Sequence, residues 1–391
     1  MAVYNASNNA KLLTGMHSFA DAHIRKTLES IIYQRCVLPA IFASRNKGET
    51  KLFRPGATTI LGGNNMPSDV DMARENAFEV HVRLQTGDST VVKTLGQNDT
   101  NPSMGVGSQT NDRTSASFRW TGPIKAAVRV PKQILRTSID KFKIADATTE
   151  STDQATEALT NVLNKQLWRG VPTDQSANTW DSLLGILPAM NTTGTYGNIA
   201  RSAGTAYWNG NRVTTAVAAS LRLIDQANGG TGVCSAIGKP LNSFGPGADL
   251  WIVSNAVFDA LKQEALARGQ GITVGDMPEL AKVGVKYEVI KYGQATIIAD
   301  PTLTGDWSAA DSQLNVASVD SGVTDATKVM VGLTTSDWVF SVNPTENFRL
   351  TQFDDPESRG GSDDAITATI NAMPRLYCKK PGRQILFTNV S

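Results

Sequence analysis

The residue type most often used for acid–base and metal chemistry is scarce in this chain. Its three histidines are His17, His23 and His81. His17 and His23 are six residues apart and would not share a helix face, and His81 is on the polar side of an alternating run. None belongs to an HExxH motif or to a Cys/His cluster. The pattern predicts solvated surface histidines and argues strongly against a zinc or triad enzyme.

Residues 232–240 superficially resemble a phosphate-binding loop. Five residues separate Gly232 from Gly238, one more than that motif allows. Pro240 follows Lys239 where the motif requires Ser or Thr. We therefore predict an ordinary loop and no nucleotide site.

An acidic cluster surrounds Pro356 near the C-terminus. Its members are Asp354, Asp355, Glu357, Asp363 and Asp364. Calcium binding is one interpretation, because hard cations prefer carboxylate oxygens. The spacing lacks a regular ligand pattern, which favours a solvated turn between two strands.

A basic group follows it along the chain, formed by Arg375, Lys379, Lys380 and Arg383. Four cations could screen the phosphates of DNA, so these residues are candidates for a DNA-facing patch. A hydrated strand edge or a salt-bridge site between subunits is the favoured alternative.

The most distinctive element is a long polar β excursion at residues 52–131. One alternating run covers residues 78–84 and a second returns through residues 118–130, with a glycine-rich tip between them. Two such strands are marginal alone in water, so neighbouring copies of the chain are the expected source of stability. On the return run, Lys125, Arg129 and Lys132 should point away from the apolar side. The candidate inter-subunit residues are Phe78, Val80, Val82, Trp120, Lys125 and Arg129.

The composition agrees with a soluble intracellular protein of several units. The 391 residues suffice for a sizeable core, and 37 basic residues nearly balance 36 acidic ones. This balance excludes the global basic footprint of a dedicated nucleic-acid binder. Three widely spaced cysteines form no disulfide framework, and no apolar run approaches membrane-spanning length.

The remaining patterns predict mixed helices and strands. Helical periodicity covers residues 18–35, 147–169, 213–227 and 255–268, with Ser18 beginning the first helix and Gly170 ending the second. Strand patterns occupy residues 250–253, 287–290 and 296–299, and then most of residues 329–387. The fold class is α+β.

This order of elements resembles the major capsid protein of a tailed bacteriophage with the Hong Kong 97 coat-protein fold. The resemblance covers nearly the whole chain and rests on no short motif. It implies an N-terminal arm and helix (1–51), an extended β-hairpin loop (52–131), a peripheral domain with a long spine helix (132–174), an apical α/β domain (175–335) and return strands of the peripheral domain (336–391).

The resemblance also implies a function. Copies would form hexamers and pentamers that close into an icosahedral shell around double-stranded DNA, in a virion assembled in the host cytoplasm. It implies no active site, cofactor, metal or membrane contact, and it implies portal, scaffolding and decoration partners. Because the chain begins almost at the arm, scaffolding is expected from a separate protein. An encapsulin-like nanocompartment around protein cargo and a soluble α/β enzyme are the alternatives.

Overall fold

A computed structural model describes much of the chain. The described residues are 13–21, 23–24, 37–39, 58–60, 79–83, 115–133, 141–173, 175, 180–201, 208–228, 247–268, 288–293, 295–305, 307, 323, 325–343, 346, 348–355 and 364–391. Within these ranges no helix combines the length and the apolar character needed to cross a bilayer. The predicted α+β class is confirmed.

Strands alternate with few helices along the chain. The strands are β1 (Thr58–Ile60), β2 (Glu79–Arg83), β3 (Ser115–Arg119), β4 (Ile124–Pro131), β5 (Thr195–Tyr196), β6 (Ile199–Ala200), β7 (Asn211–Val213), β8 (Leu250–Val253), β9 (Val289–Tyr292), β10 (Ala295–Ala299), β11 (Met330–Leu333), β12 (Trp338–Val342), β13 (Arg349–Leu350), β14 (Ala365–Ala372), β15 (Pro374–Cys378) and β16 (Ile385–Phe387). The α-helices are α1 (Lys141–Arg169), α2 (Ile186–Met190), α3 (Arg222–Asn228) and α4 (Asn255–Ala267), and short 3₁₀ turns occupy Ala326–Lys328, Thr335–Asp337 and Pro381–Arg383.

The strands form three larger sheets and two hairpins. A six-stranded mixed sheet has the order β7-β16-β11-β8-β10-β9, and two three-stranded sheets have the orders β1-β12-β15 and β13-β14-β4. One apolar core is shared by α1 and the three-stranded sheets, and a second lies between the six-stranded sheet, α3 and α4. Because β16 lies in the same sheet as β8, the predicted boundary at residues 335/336 divides strands of one sheet.

The N-terminal helical segment begins earlier than the sequence predicted. Residues 13–21 are helical, and the Ser18 hydroxyl donates to the Thr14 carbonyl at 3.1 Å. Ser18 is thus inside the helix, because its hydroxyl bonds the preceding turn instead of capping a free N–H. Met16 and Ala20 are buried. Residues 25–35 of the predicted helix lie outside the described residues.

Helix α1 confirms the spine helix, but it begins at Lys141 instead of residue 147 and buries a wider face than the apolar stripe predicts. Thr148, Thr152, Thr156 and Thr160 are all buried, one turn apart. The Thr152 and Thr160 hydroxyls donate to the carbonyls of Thr148 and Thr156, at 2.7 and 2.8 Å. These bonds within the helix let small polar side chains enter the core at little cost.

The predicted helix at residues 213–227 is wrong over its first half. Val213 ends β7, and Val217 forms a parallel bridge with Val390. The Val217 N–H donates to the Asn389 carbonyl at 3.0 Å, and the Ser391 N–H donates to the Val217 carbonyl at 3.0 Å. Pairing with the C-terminal residues thus overrides the helical periodicity, and only α3 is helical.

Asp300 links the spine helix to the end of β10. Trp168 of α1 donates from its indole N–H to Asp300 Oδ2 at 3.0 Å, and the Thr302 N–H and hydroxyl donate to Oδ1 at 2.9 and 2.7 Å. Asp300 is fully buried. Burial raises the pKa of Asp300, and the hydrogen bonds from Thr302 and Trp168 offset part of that rise.

We expect Asp300→Ala to lower the free energy of unfolding by about 2 kcal/mol, because the buried Trp168 N–H loses its acceptor. Asp259→Ala, on the exposed side of α4, is the matched control and should change stability by less than about 0.5 kcal/mol. Urea unfolding of the unassembled chain measures both. Equal effects of the two variants would show that Asp300 does not link these elements.

Candidate assembly surface

The root of the predicted extended loop is an antiparallel hairpin. Val80 of β2 pairs with Phe118 of β3, and Val82 pairs with Ala116. The predicted hairpin is therefore present in the backbone. Phe78, also a predicted contact residue, lies outside the described residues, as does the glycine-rich tip.

Phe118 fixes this hairpin to the core of its own chain. Its ring stacks on Tyr377 at a centroid distance of 5.0 Å and meets Tyr196 edge-on at 5.4 Å. The Ser117 N–H donates to the Gly197 carbonyl at 2.9 Å. Gly197 has φ +60°, and a Cβ there would lie 2.6 Å from the Phe118 ring, so a glycine is required. The base of the loop is held firmly.

Trp120 and Arg375 were predicted at two different surfaces, and both predictions are wrong. Trp120 is 4% exposed and Arg375 is 1% exposed. The Arg375 guanidinium carbon lies 4.1 Å from the centroid of a Trp120 ring, a favourable cation–π distance. Because the two side chains cover each other within one subunit, Trp120 is no inter-subunit contact and Arg375 does not face DNA.

The second predicted loop strand is divided between two sheets. β3 belongs to the hairpin, whereas β4 pairs with β14 in a separate sheet. The hairpin therefore ends at Arg119, and the loop does not extend to residue 131. Lys125 and Arg129 are exposed on β4, as predicted, but they belong to the sheet beneath the spine helix.

The position of Lys132 contradicts two predictions, one about its own exposure and one about the acidic cluster. Lys132 is fully buried instead of lying beside Lys125 and Arg129, and its Nζ lies 2.5 Å from Asp355 Oδ1. The Lys132 N–H also donates to the Asp364 carbonyl at 3.1 Å. Part of the acidic cluster is thus an ion-pair site and not a solvated turn; Glu357 and Asp363 lie outside the described residues.

A groove of about 490 Å³ separates β4 from the spine helix. Both faces of β4 contribute to its wall, together with one side of α1. Lining residues include Lys125, Ala126, Ala127, Arg129, Ser151 and Gln166. Side chains on opposite faces of a strand meet one cavity only along the strand's edge, so the groove follows the edge of β4.

Gln166 also lines this groove, and it was not predicted as a site residue from the sequence. It is 4% exposed, and its Oε1 has no hydrogen-bond partner among the described residues. Buried carbonyl oxygens are nearly always paired in folded proteins. Its position three residues after Leu163 is the one sequence signal for its burial.

The C-terminal basic group is also divided. Arg383 is 5% exposed, and its Nη1 lies 3.0 Å from Asp337 Oδ2. Burial raises the pKa of Asp337, and the Arg383 charge counteracts that rise. Arg383 is therefore a buried ion-pair partner and does not face DNA, whereas Lys379 and Lys380 are exposed.

The histidines are less solvated than predicted. His23 Nε2 lies 2.8 Å from Asp153 Oδ1 of the spine helix, so this pair connects the N-terminal helical segment to α1. His17 is half-buried, and the side chain of His81 is outside the described set. In the part of the chain that the structure describes, no three acidic, histidine or cysteine side chains lie close enough to hold a metal ion. The glycine-rich stretch at 232–240 is not among the described residues.

No family model and no curated protein sequence matches this chain. Its fold is similar to those of several solved shell proteins. The cyanophage A-1(L) capsid subunit gives a TM-score of 0.49 at 13% identity, over 91% of this chain and 93% of that one. The SrpI encapsulin of Synechococcus elongatus gives 0.43 at 10% identity, over 81% and 83% of the two chains.

The capsid of a native GTA particle gives a TM-score of 0.42 at 11% identity, over 80% of this chain and 85% of that one. Likeness at this level does not define a function.

Proposed function

We propose that this chain is the major capsid protein of a tailed bacteriophage. Copies associate as hexamers and pentamers, and these close into an icosahedral shell around double-stranded DNA. The role is structural and involves no catalysis, cofactor or metal. A hairpin, a long helix, an α/β sheet and return strands follow one another in the described residues, which is the order that the Hong Kong 97 resemblance implies.

The hairpin carries this proposal. Phe118 fixes its base to the subunit's own core, and residues 84–114 join β2 to β3. A two-stranded ribbon is marginal in water, so a loop of this length requires other surfaces for its stability. Neighbouring copies supply those surfaces, and every subunit is then held by several others at once.

The proposal extends to location and partners. The shell forms in the host cytoplasm, with scaffolding, portal and decoration proteins as partners, and becomes the virion capsid. The near balance of 37 basic and 36 acidic residues supports this role, because a shell must neither hold DNA too tightly nor repel its own copies.

Nuclease protection tests the contents of the shell. Particles from cells that produce this chain with the packaging components should protect double-stranded DNA after nuclease treatment. Particles that protect only a protein cargo would instead support the encapsulin-like nanocompartment. A chain that never forms particles would contradict both functions.

Lys379 and Lys380 are the two exposed members of the predicted DNA-facing group, so substituting them tests whether this group contacts DNA. The double variant Lys379→Glu/Lys380→Glu should assemble normally but lower the amount of protected DNA, because reversed charges repel nearby phosphates. Quantifying DNA per particle measures this effect. The control Lys291→Glu, exposed on β9, should leave the DNA content unchanged. Equal DNA content in all particles would place Lys379 and Lys380 away from the DNA.

A further inference from the structure

Strand β4 lies at the edge of its sheet. It pairs with β14 on one side, and no described strand pairs with the other. The register places Arg129 opposite Thr367. Thr367 exchanges backbone hydrogen bonds of 2.8 and 2.9 Å with Asp354 on its far side, so the backbone groups of Arg129 must point away from β14. The Ser151 hydroxyl, which donates to the Arg129 carbonyl at 2.8 Å from the helix, agrees with that direction.

The same alternation directs Ala127 into the groove. Ala127 is opposite Thr369, whose carbonyl accepts from the Thr351 N–H at 2.8 Å on the far side of β14. The N–H and C=O of Ala127 therefore point toward the groove, where they have no described partner. Ala127 is exposed and lines the groove directly. It offers one donor and one acceptor, spaced as a β-ladder requires.

The buried side of the groove carries an independent signal. Gln166 lines the same cavity and is 4% exposed, and its Oε1 accepts no hydrogen bond from the part of the chain that the structure describes. An unpaired buried oxygen is costly. A donor that enters the groove from outside the subunit removes that cost. The two walls of the groove thus present hydrogen-bonding groups without described partners: the N–H and C=O of Ala127 on β4, and the Oε1 of Gln166 on the helix.

We propose that the groove binds an extended segment of a second copy of this chain, which adds to the edge of β4 as a further strand. Strand addition of this kind uses main-chain hydrogen bonds for affinity and flanking side chains for specificity. This inference rests on the proposed shell function, and it identifies the surface through which two subunits associate.

Charge favours residues 61–78 as the segment that binds. Lys125 and Arg129 are exposed beside the groove. Residues 61–78 contain three acidic residues and one arginine, which gives a net charge of −2. The acidic lining residue Asp181 is already bonded to the Thr173 N–H at 2.8 Å. Attraction between opposite charges would set the register of the added strand.

Ala127→Pro tests the strand addition directly. Proline removes the N–H that points into the groove but no ladder bond to β14, and proline is tolerated on edge strands in that orientation. The unassembled chain should keep its unfolding midpoint, whereas the critical concentration for assembly should rise about tenfold. Ala127→Ser, which keeps the N–H, should assemble like the wild type. If Ala127→Pro folds and assembles at the wild-type concentration, no strand adds to this edge.

Gln166→Met and Thr156→Val form a second, matched pair. Each removes a buried oxygen that no described residue bonds, so each should leave the stability of the unassembled chain unchanged or increase it. Only Gln166→Met should weaken assembly, because Thr156 does not line the groove. Wild-type assembly of Gln166→Met would exclude the proposed role of its oxygen.

A cysteine pair identifies the bound segment. Particles of Ala127→Cys/Val70→Cys should give disulfide-linked oligomers on a non-reducing gel, and neither single variant should do so. A link from Ala127→Cys to a different protein, or no link, would overturn the assignment to a second copy. If the Ala127→Pro and Gln166→Met variants assemble like the wild type and the cysteine pair gives no link, strand addition is rejected but the shell function is not. A wild-type chain that forms no shell would reject the proposed function together with strand addition.

Discussion

Deleting residues 88–112 is expected to leave a folded chain that forms no shells. The deletion keeps β2, β3 and the packing of Phe118 on Tyr377, so the fold of the subunit should survive. It removes most of the connection between β2 and β3, whose side chains are proposed to lie on neighbouring copies, and it leaves the proposed β4-binding residues 61–78 in place. Sedimentation should show particles for the wild type and only monomers or small oligomers for the deletion, with a change of less than about 1 kcal/mol in unfolding free energy.

A Gly/Ser segment of the same length is the control for loop length. It restores the spacing between β2 and β3 but none of the original side chains, so it should fail to assemble as well. If the shortened chain gives normal particles in electron micrographs, neighbouring copies are not held together by this loop.

Asp355→Ala is expected to lower the free energy of unfolding by about 3 kcal/mol, more than Asp300→Ala does. Lys132 is fully buried, and Asp355 Oδ1 lies 2.5 Å from its ammonium group. Removing the carboxylate deprives a buried ammonium group of this ion-pair partner. Because β4 ends at Pro131, directly before Lys132, the groove should lose its shape together with stability. Chemical unfolding measures the first effect and the assembly assay measures the second.

The double variant Lys132→Met/Asp355→Ala separates charge burial from lost packing. Replacing a buried pair with apolar groups costs much less than breaking it, so the double variant should recover most of the lost stability. Asp146→Ala, on the exposed side of α1, controls for removal of a carboxylate and should be nearly neutral. A double variant as unstable as Asp355→Ala would show that the buried charge is not the cause.

Local patterns in the sequence predict the elements of this fold well. Trp338–Val342 and Ile385–Phe387 are strands within the region 329–387 where strand patterns predicted them, and the spine helix ends at Arg169, directly before Gly170. Ser254, directly before the predicted helix at 255–268, caps α4 and accepts from the Val257 N–H at 3.3 Å. These features depend on neighbours in sequence, namely alternation, capping and helix termination.

The surface residues could not be predicted in the same way, because their environment depends on distant parts of the chain. Arg375 stacks on Trp120, and Arg383 pairs with Asp337. In the sequence both arginines belong to a basic group typical of a surface patch, but in the structure both are buried. Periodicity likewise did not predict the pairing of Val217 with Val390. The groove beside β4 could not be predicted from the sequence, because the position of β4 at the edge of its sheet depends on the strand order.

The most direct test of the central claim is cryo-electron microscopy of particles assembled from the purified wild-type chain. We expect closed icosahedral shells built of hexamers and pentamers, with a strand of a neighbouring subunit beside Ala127 in the groove. A chain that stays monomeric at every protein concentration and ionic strength tried, or that forms only open aggregates, would contradict this claim.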